Sequence, residues 1–271
     1  MLKKINNKNN KNNIKKKKIK KAGVMGLLLE NKLCLVTGGS RALGKAISIV
    51  LAREGADVAL TYRKNEEEAK EVKREIEALG RKGYIYQLDV RQVAKSKELA
   101  NKMAEQGLVP DVLINNAGVS QVVHLSMMDE EDYELVMGTN VKGTFFVTKA
   151  FLRGMIRKRK GKIINVSSLA GVHLIKAPVH YSASKAAIVG FTMALSKEIA
   201  NYNITVNGIA PGLLDEGVGI NVPETNLEDY LKHNSLGRLG KCEEVAELIA
   251  FMASDRNSYM NGETILLDGG V

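Results

Sequence analysis

From Lys32 to the C-terminus, short apolar runs rich in β-branched residues alternate with longer segments in which apolar positions recur every three or four residues. The short runs fall at 33–37 (LCLVT), 57–61 (DVALT), 84–87 (YIYQ), 111–114 (DVLI), 162–166 (KIINV), 203–208 (NITVNG) and 263–267 (ETILL). Such residues fit a pleated, buried surface, so seven strands are predicted. Amphipathic helices are predicted between them, at about 43–54, 65–79, 92–106, 130–158 with a break, 180–201 and 242–254. Gly55 and Gly80 stand just past two of these, where a left-handed residue commonly closes the last turn. Strands separated by single helices pair in parallel, because each helix crosses back over the sheet. The predicted fold is α/β: one Rossmann-type, doubly wound, seven-stranded parallel sheet with helices on both faces.

No second domain is needed, and residues 25–271 are expected to fold as one unit. The least regular stretch, 211–240, follows the sixth strand. Ligands of open α/β sheets bind beyond the carboxyl ends of the strands. The stretch is therefore expected to be a substrate lid.

Charge changes the picture only at one end. The chain carries 40 basic and 30 acidic residues, a formal net charge of +10. Ten of those lysines lie within the first 24 residues, which contain no acid, so the remainder is balanced. That Lys/Asn/Ile segment has too little apolar surface to offset the entropy of ordering it, and a disordered tail is expected. A polyanion or membrane-surface anchor is the functional reading of this tail, and translation from Met25, which opens a natural start for this fold, is a third. Specific nucleic-acid binding is not expected of the balanced remainder. An apolar content of 45% fits a globular protein, and no run reaches the roughly 18 apolar residues of a membrane span. Two cysteines, Cys34 and Cys242, form no disulfide framework, and four scattered histidines offer no metal-ligand spacing. A cytoplasmic, metal-free protein is expected.

Directly after the first strand comes Thr37-Gly38-Gly39-Ser40-Arg41-Ala42-Leu43-Gly44, opening into a helix. Glycines in that position let the backbone approach a pyrophosphate, whose charge is met by the unpaired N–H groups of the helix start. At the end of the second strand, where NAD sites carry an acid, the chain reads TYRKN. Arg63, Lys64 and Arg41 suit a 2′-phosphate, so NADPH is favoured over NADH.

Three motifs in order, TGGSRALG, Asn115-Asn116-Ala117-Gly118 and Tyr181-Ser182-Ala183-Ser184-Lys185, resemble the short-chain dehydrogenase/reductase family over about residues 29–271. VNGIAPG at 206–212 and NSYMNGETILLDGG at 257–270 look like its 3-oxoacyl-acyl-carrier-protein reductase branch. Tyr181 and Lys185 are one helical turn apart and share a face. An ammonium there is expected to lower the phenol pKa, letting Tyr181 protonate the oxygen of a ketone reduced by NADPH. The resemblance also implies that Lys185 binds the nicotinamide ribose and that Ser168, rather than Ser167, hydrogen-bonds the substrate carbonyl. It implies Asn140 as holder of a relay water. By the same resemblance Gly38, Ser40, Arg41, Leu43, Gly44 and Arg63 line the cofactor's phosphates, Asp89 and Val90 its adenine, Asn116, Ala117 and Gly118 its length, and Pro211, Gly212 and Leu214 its carboxamide end. Ala42 departs from the family pattern, which has glycine there.

The reaction implied is reduction of a 3-oxoacyl thioester, on acyl carrier protein or CoA, by a homotetramer. An acidic carrier would favour a basic patch, and Arg159, within the cluster Arg153–Lys162, sits where the resemblance implies docking. Cations that merely complement a helix end explain the same cluster. Reduction of a small alcohol, sugar or other ketone, and non-catalytic NADP(H) binding, are the alternatives.

Overall fold

The computed structural model describes residues 26–173, 176–217, 222 and 224–271. The expectations of a disordered tail over 1–24 and of a start at Met25 lie outside the described residues. Seven strands form one parallel sheet: β1 (Leu33–Val36), β2 (Asp57–Tyr62), β3 (Gly83–Gln87), β4 (Val112–Asn115), β5 (Gly161–Val166), β6 (Ile204–Pro211) and β7 (Thr264–Leu267). Their spatial order is β3-β2-β1-β4-β5-β6-β7, so the order reverses between β1 and β4. That switch point leaves a crevice at the carboxyl ends of the two strands.

Eight α-helices cover the sheet among the described residues: α1 (Ala42–Arg53), α2 (Glu66–Ala78), α3 (Val93–Glu105), α4 (Glu130–Met137), α5 (Thr144–Lys158), α6 (Val179–Glu198), α7 (Glu224–His233) and α8 (Cys242–Ala253). Alternation along each strand feeds two cores. Cys34, Val36, Val112, Ile114, Ile164 and Val166 pack with Ile47 and Leu51 of α1 and Val245 and Ile249 of α8. Leu35, Leu113 and Ile163 face the other way, against Met103 of α3, Phe151 and Met155 of α5 and Leu195 of α6. Gly55 and Gly80 take φ values of +95° and +75° just past α1 and α2. No described helix is long and apolar enough to cross a membrane.

The break expected within 130–158 is a turn of π-helix, Gly138–Gly143, joining α4 to α5. Its last residue lies close against the loop after β3: a Cβ on Gly143 would come within 2.6 Å of Val90 Cγ2. The predicted irregular stretch 211–240 holds a helix, α7, because Tyr230 anchors it. The Tyr230 hydroxyl donates to the Asp268 carbonyl (3.1 Å) and accepts from the Leu213 amide (3.2 Å).

Candidate active site

The loop after β1 is held open by its neighbours. Thr37 Oγ1 accepts from the amides of Asn116 and Ala117, both at 3.0 Å, and the Asn116 side-chain amide donates to the carbonyls of Thr37 (3.0 Å) and Gly38 (3.1 Å). Thr61 Oγ1 accepts from the Gly38 amide at 3.1 Å. The loop is thereby stapled to β2 and β4 across the switch point. Gly38 has φ +62°, and a Cβ on Gly44 would fall 2.0 Å from the Gly38 carbonyl oxygen. Only glycine fits at Gly44, because the obstacle is backbone that cannot yield. Arg41 precedes α1 in extended conformation and gives it no side-chain cap. The first N–H groups of α1 are left for an anion.

A cleft of about 1910 Å³ runs from this loop across the carboxyl ends of the strands. It is larger than the few hundred to roughly 1,000 Å³ of a single small-ligand pocket, which leaves room for a dinucleotide and a second molecule. Gly38, Ser40, Arg41, Leu43, Gly44, Arg63, Asp89, Val90, Asn116, Ala117, Gly118, Pro211, Gly212 and Leu214 all line it, as do Ser168, Tyr181 and Lys185. The glycine cradle, the uncapped helix start and the cations at one end suit a dinucleotide with a phosphorylated ribose.

Tyr181 and Lys185 stand on the first turns of α6, with the Lys185 Nζ 5.7 Å from the centre of the Tyr181 ring. Lys185 is buried and donates to the Val166 carbonyl at 2.9 Å. Burial pushes its pKa down to about 8. The expectation of a lowered phenol does not hold for Tyr181. Burial raises its pKa, and the Ser168 hydroxyl beside it opposes the rise. The desolvated site penalises the phenolate more than its surroundings stabilise it.

The two serines after β5 are used differently. Ser167 is buried and donates to the Lys185 carbonyl at 2.8 Å, tying β5 to α6. Ser168 accepts from the Ala170 amide at 3.2 Å and faces the cleft with Tyr181.

Asn140 lies behind the cleft wall, in the π turn, and its side chain is fully engaged. It accepts from the Val119 amide and donates to the Val119 carbonyl and the Ser184 hydroxyl, each at 2.9 Å. Its carbonyl accepts from Thr144 Oγ1 at 2.8 Å. A Cβ on Gly118 would lie 3.4 Å from Asn140 Oδ1 and 3.5 Å from Lys185 Nζ, so Gly118 stands between the two side chains.

Arg159 lies away from the cleft. It ends α5 with φ +49°, its guanidinium donates to the Asn201 carbonyl (3.1 Å) and its own carbonyl accepts from Asn203 (3.2 Å). In the part of the cleft lined by Arg63 and Lys64, Asp89 is held by Arg91, whose Nε and Nη2 reach its two carboxylate oxygens at 3.0 and 2.6 Å. That guanidinium lowers the Asp89 pKa. Thr61, Arg91 and Tyr230 are the parts of the site that motif reading missed. Thr61 and Tyr230 bond backbone distant in sequence, which nothing local marks, whereas Arg91 bonds the Asp89 carboxylate two residues before it.

Residues 32–226 match the family described as short chain dehydrogenase. The chain belongs to that family, whose members use a nicotinamide dinucleotide. It is 40% identical over 243 residues to a 3-oxoacyl-[acyl-carrier-protein] reductase of Thermotoga maritima, covering 90% of this chain and 98% of that protein. A protein of the same name from Chlamydia trachomatis is 38% identical, covering 91% of this chain and all of the relative. Among solved structures, a short-chain type dehydrogenase/reductase from Mycobacterium marinum superposes with a TM-score of 0.82 at 33% identity, covering 89% of this chain and 95% of that one. A gluconate 5-dehydrogenase from Burkholderia cenocepacia, in complex with NADP and tartrate, gives 0.84 at 28% identity, covering 90% and 96%.

Proposed function

We propose that this chain is an NADPH-dependent reductase of 3-oxoacyl thioesters, with acyl carrier protein as the usual carrier. The observation that carries the reading is the convergence of Ser168, Tyr181 and Lys185 on the cleft that also holds the glycine loop. The curated relatives of that activity, matched over nearly their whole length, support the substrate class.

When bound, NADPH supplies hydride to the carbonyl carbon. Ser168 donates a hydrogen bond to the carbonyl oxygen and orients it. Tyr181, kept protonated by its raised pKa, gives its proton to that oxygen as negative charge develops there. Lys185 holds the nicotinamide ribose and keeps a positive charge beside the phenolate left behind. Asn140 fixes the Val119 backbone and the Ser184 hydroxyl behind them, and its carbonyl side is where a relay water would sit. Arg41, Arg63 and Lys64 hold the 2′-phosphate. Asp89 and Val90 take the adenine, Asn116 to Gly118 the length of the cofactor, and Pro211, Gly212 and Leu214 its carboxamide end.

Residues 211–240 act as the lid over the thioester, anchored through Tyr230. The chain assembles as a homotetramer through the exposed faces of α5 and α6, where Phe145 and Met193 stand half in water, and light scattering giving one chain's mass would reject this. The reading makes this a cytoplasmic enzyme.

The test follows oxidation of NADPH and NADH in parallel, with an acetoacetyl thioester, for wild type and Tyr181→Phe. Turnover with NADPH that is lost in the variant, with cofactor binding retained, is expected. Retained turnover in the variant would remove Tyr181 from the mechanism, and cofactor binding without thioester reduction would overturn the substrate.

A further inference from the structure

The loop after β3 makes contacts in two directions. Asp89 and Val90 line the cleft, and Arg91 stands outside its wall. Arg91 closes on the Asp89 carboxylate with three donors: its amide to Oδ1 (3.1 Å), Nε to Oδ1 (3.0 Å) and Oδ2 (3.2 Å), and Nη2 to Oδ2 (2.6 Å). A carboxylate offers about four acceptor positions, so roughly one is left for the amino group of a ligand. The stem of Arg91 lies against the start of the π turn, where a Cβ on Gly138 would stand 3.7 Å from its Cδ and 3.8 Å from its Cγ. Val90 reaches the other end of that turn at Gly143, so two adjacent residues bracket Gly138–Gly143. Between those ends Asn140 holds the Val119 backbone and the hydroxyl of Ser184, the residue before Lys185. A contiguous set of contacts therefore runs from the Asp89 carboxylate to the helix of Tyr181 and Lys185, and Arg91 joins its first two parts.

We propose that Arg91 is a positioning residue whose guanidinium sets the Asp89 carboxylate for the adenine and whose stem braces the π turn that carries Asn140, so that binding at the one is coupled to order at the other. This rests on the cofactor reading above and deepens it by adding a residue from outside the cleft. A side chain that is 40% exposed ordinarily makes an ion pair of little consequence. Here three donors of one residue meet a carboxylate that is only 16% exposed, and the planar guanidinium fixes its orientation as well as its charge. Packing against the π turn then gives that orientation a second effect. Coupling of this kind is reciprocal, and it is read as the effect of a ligand at one end on order at the other.

The experiment compares wild type, Arg91→Met, which keeps the stem and loses the guanidinium, and Arg91→Ala, which loses both. The probe is adenosine 2′,5′-bisphosphate, which carries the adenine and the 2′-phosphate but no nicotinamide. Its Kd is measured by calorimetry, and amide hydrogen exchange of residues 138–144 is followed by mass spectrometry with the protein free and saturated. Wild type should bind the probe and exchange more slowly in this segment when saturated. Both variants should bind roughly 5- to 10-fold more weakly, less than the loss of a direct contact to a charged group. Free Arg91→Met should exchange like free wild type but gain no protection at saturation, and free Arg91→Ala should exchange faster. With NADPH and an acetoacetyl thioester, kcat should fall further in Arg91→Ala than in Arg91→Met. A wild-type Kd in Arg91→Met, unchanged exchange in free Arg91→Ala, or full protection of saturated Arg91→Met each overturns the proposal. Wild type that does not bind the probe overturns the cofactor reading and the proposal with it. The expected exchange pattern without turnover of any thioester keeps the proposal and overturns the reductase reading.

Discussion

Ser167, just past β5, donates its hydroxyl to the Lys185 carbonyl at 2.8 Å, so the residue beside Ser168 fixes the backbone of the helix that carries the lysine. The adjacent serines therefore divide position from chemistry. Ser168→Ala is expected to lower kcat/KM by roughly 10²-fold, the usual loss for one donor to a developing oxyanion, with little change in Tm. Ser167→Ala should lower stability by about 1 kcal/mol, the worth of one buried hydrogen bond, and lower activity less. Kinetics and thermal unfolding of both variants check this, and a reversed pattern would make Ser167 the substrate-facing residue.

Lys185 sets the upper pH limit. Its pKa lies near 8, and the phenol of Tyr181 is raised, so the first charge lost on going alkaline is the ammonium. Thioester reduction is expected to fall as pH rises through about 8, and Lys185→Arg, which cannot lose its charge in this range, should remove that limb at a lower overall rate. A limb that stays in place in the variant would belong to another group.

The same shift has the opposite sign for stability. The lysine pKa falls from 10.5 unfolded to about 8 folded, so between those values the unfolded chain binds more protons and stability rises with pH. Below about 8 the full desolvation penalty is present. Lys185→Met is expected to stabilise the protein at pH 7 by on the order of 2 kcal/mol, after the lost hydrogen bond to Val166 is deducted, while abolishing turnover. Denaturant unfolding at pH 7 and at pH 10 should show that gain shrinking. A variant less stable than wild type at both would mean that the hydrogen bond to Val166 outweighs desolvation.

Strands, helices and the three motifs were legible because each is written in neighbouring residues. The β-branched runs place the strands, and the spacing of Tyr181 and Lys185 gives a shared helix face. What stayed hidden depends on residues distant in sequence. The π turn around Asn140 ends where Gly143 approaches Val90, a residue distant in sequence, and an α-helical period alone cannot announce it. The helix of Glu224–His233 is short and polar, held to the end of the chain by the Tyr230 hydroxyl and, just past it, by Asn234 donating to the Asp268 carbonyl at 2.7 Å. The direction of the Tyr181 shift also escaped, because spacing gives a shared helix face but not the burial that raises the phenol.

The proposed preference for NADPH places cofactor choice on the cations at one end of the cleft. Arg41→Ala and Arg63→Ala are expected to raise KM for NADPH by roughly 10- to 100-fold each, since a hydrogen bond to a charged group contributes about 1.5–3 kcal/mol. KM for NADH should hardly move. Parallel titrations of the two cofactors provide the check, and equal losses for both would show that these arginines do not read the 2′-phosphate.

Ala42 is the one loop residue whose side chain works against its backbone. Its φ of +43° lies in the left-handed region, where a Cβ costs on the order of 1–2 kcal/mol. Glycine removes that strain but adds freedom to the unfolded chain, a loss of about 0.5–1 kcal/mol. Ala42→Gly is expected to gain up to about 1 kcal/mol, read as a higher Tm. The methyl also faces the proposed lid: a Cβ on Gly217 would stand 3.2 Å from Ala42 Cβ. On that proposal the stabilised variant should show a raised KM for the thioester with KM for NADPH unchanged. A lower Tm would mean that packing of the methyl outweighs the strain of its backbone.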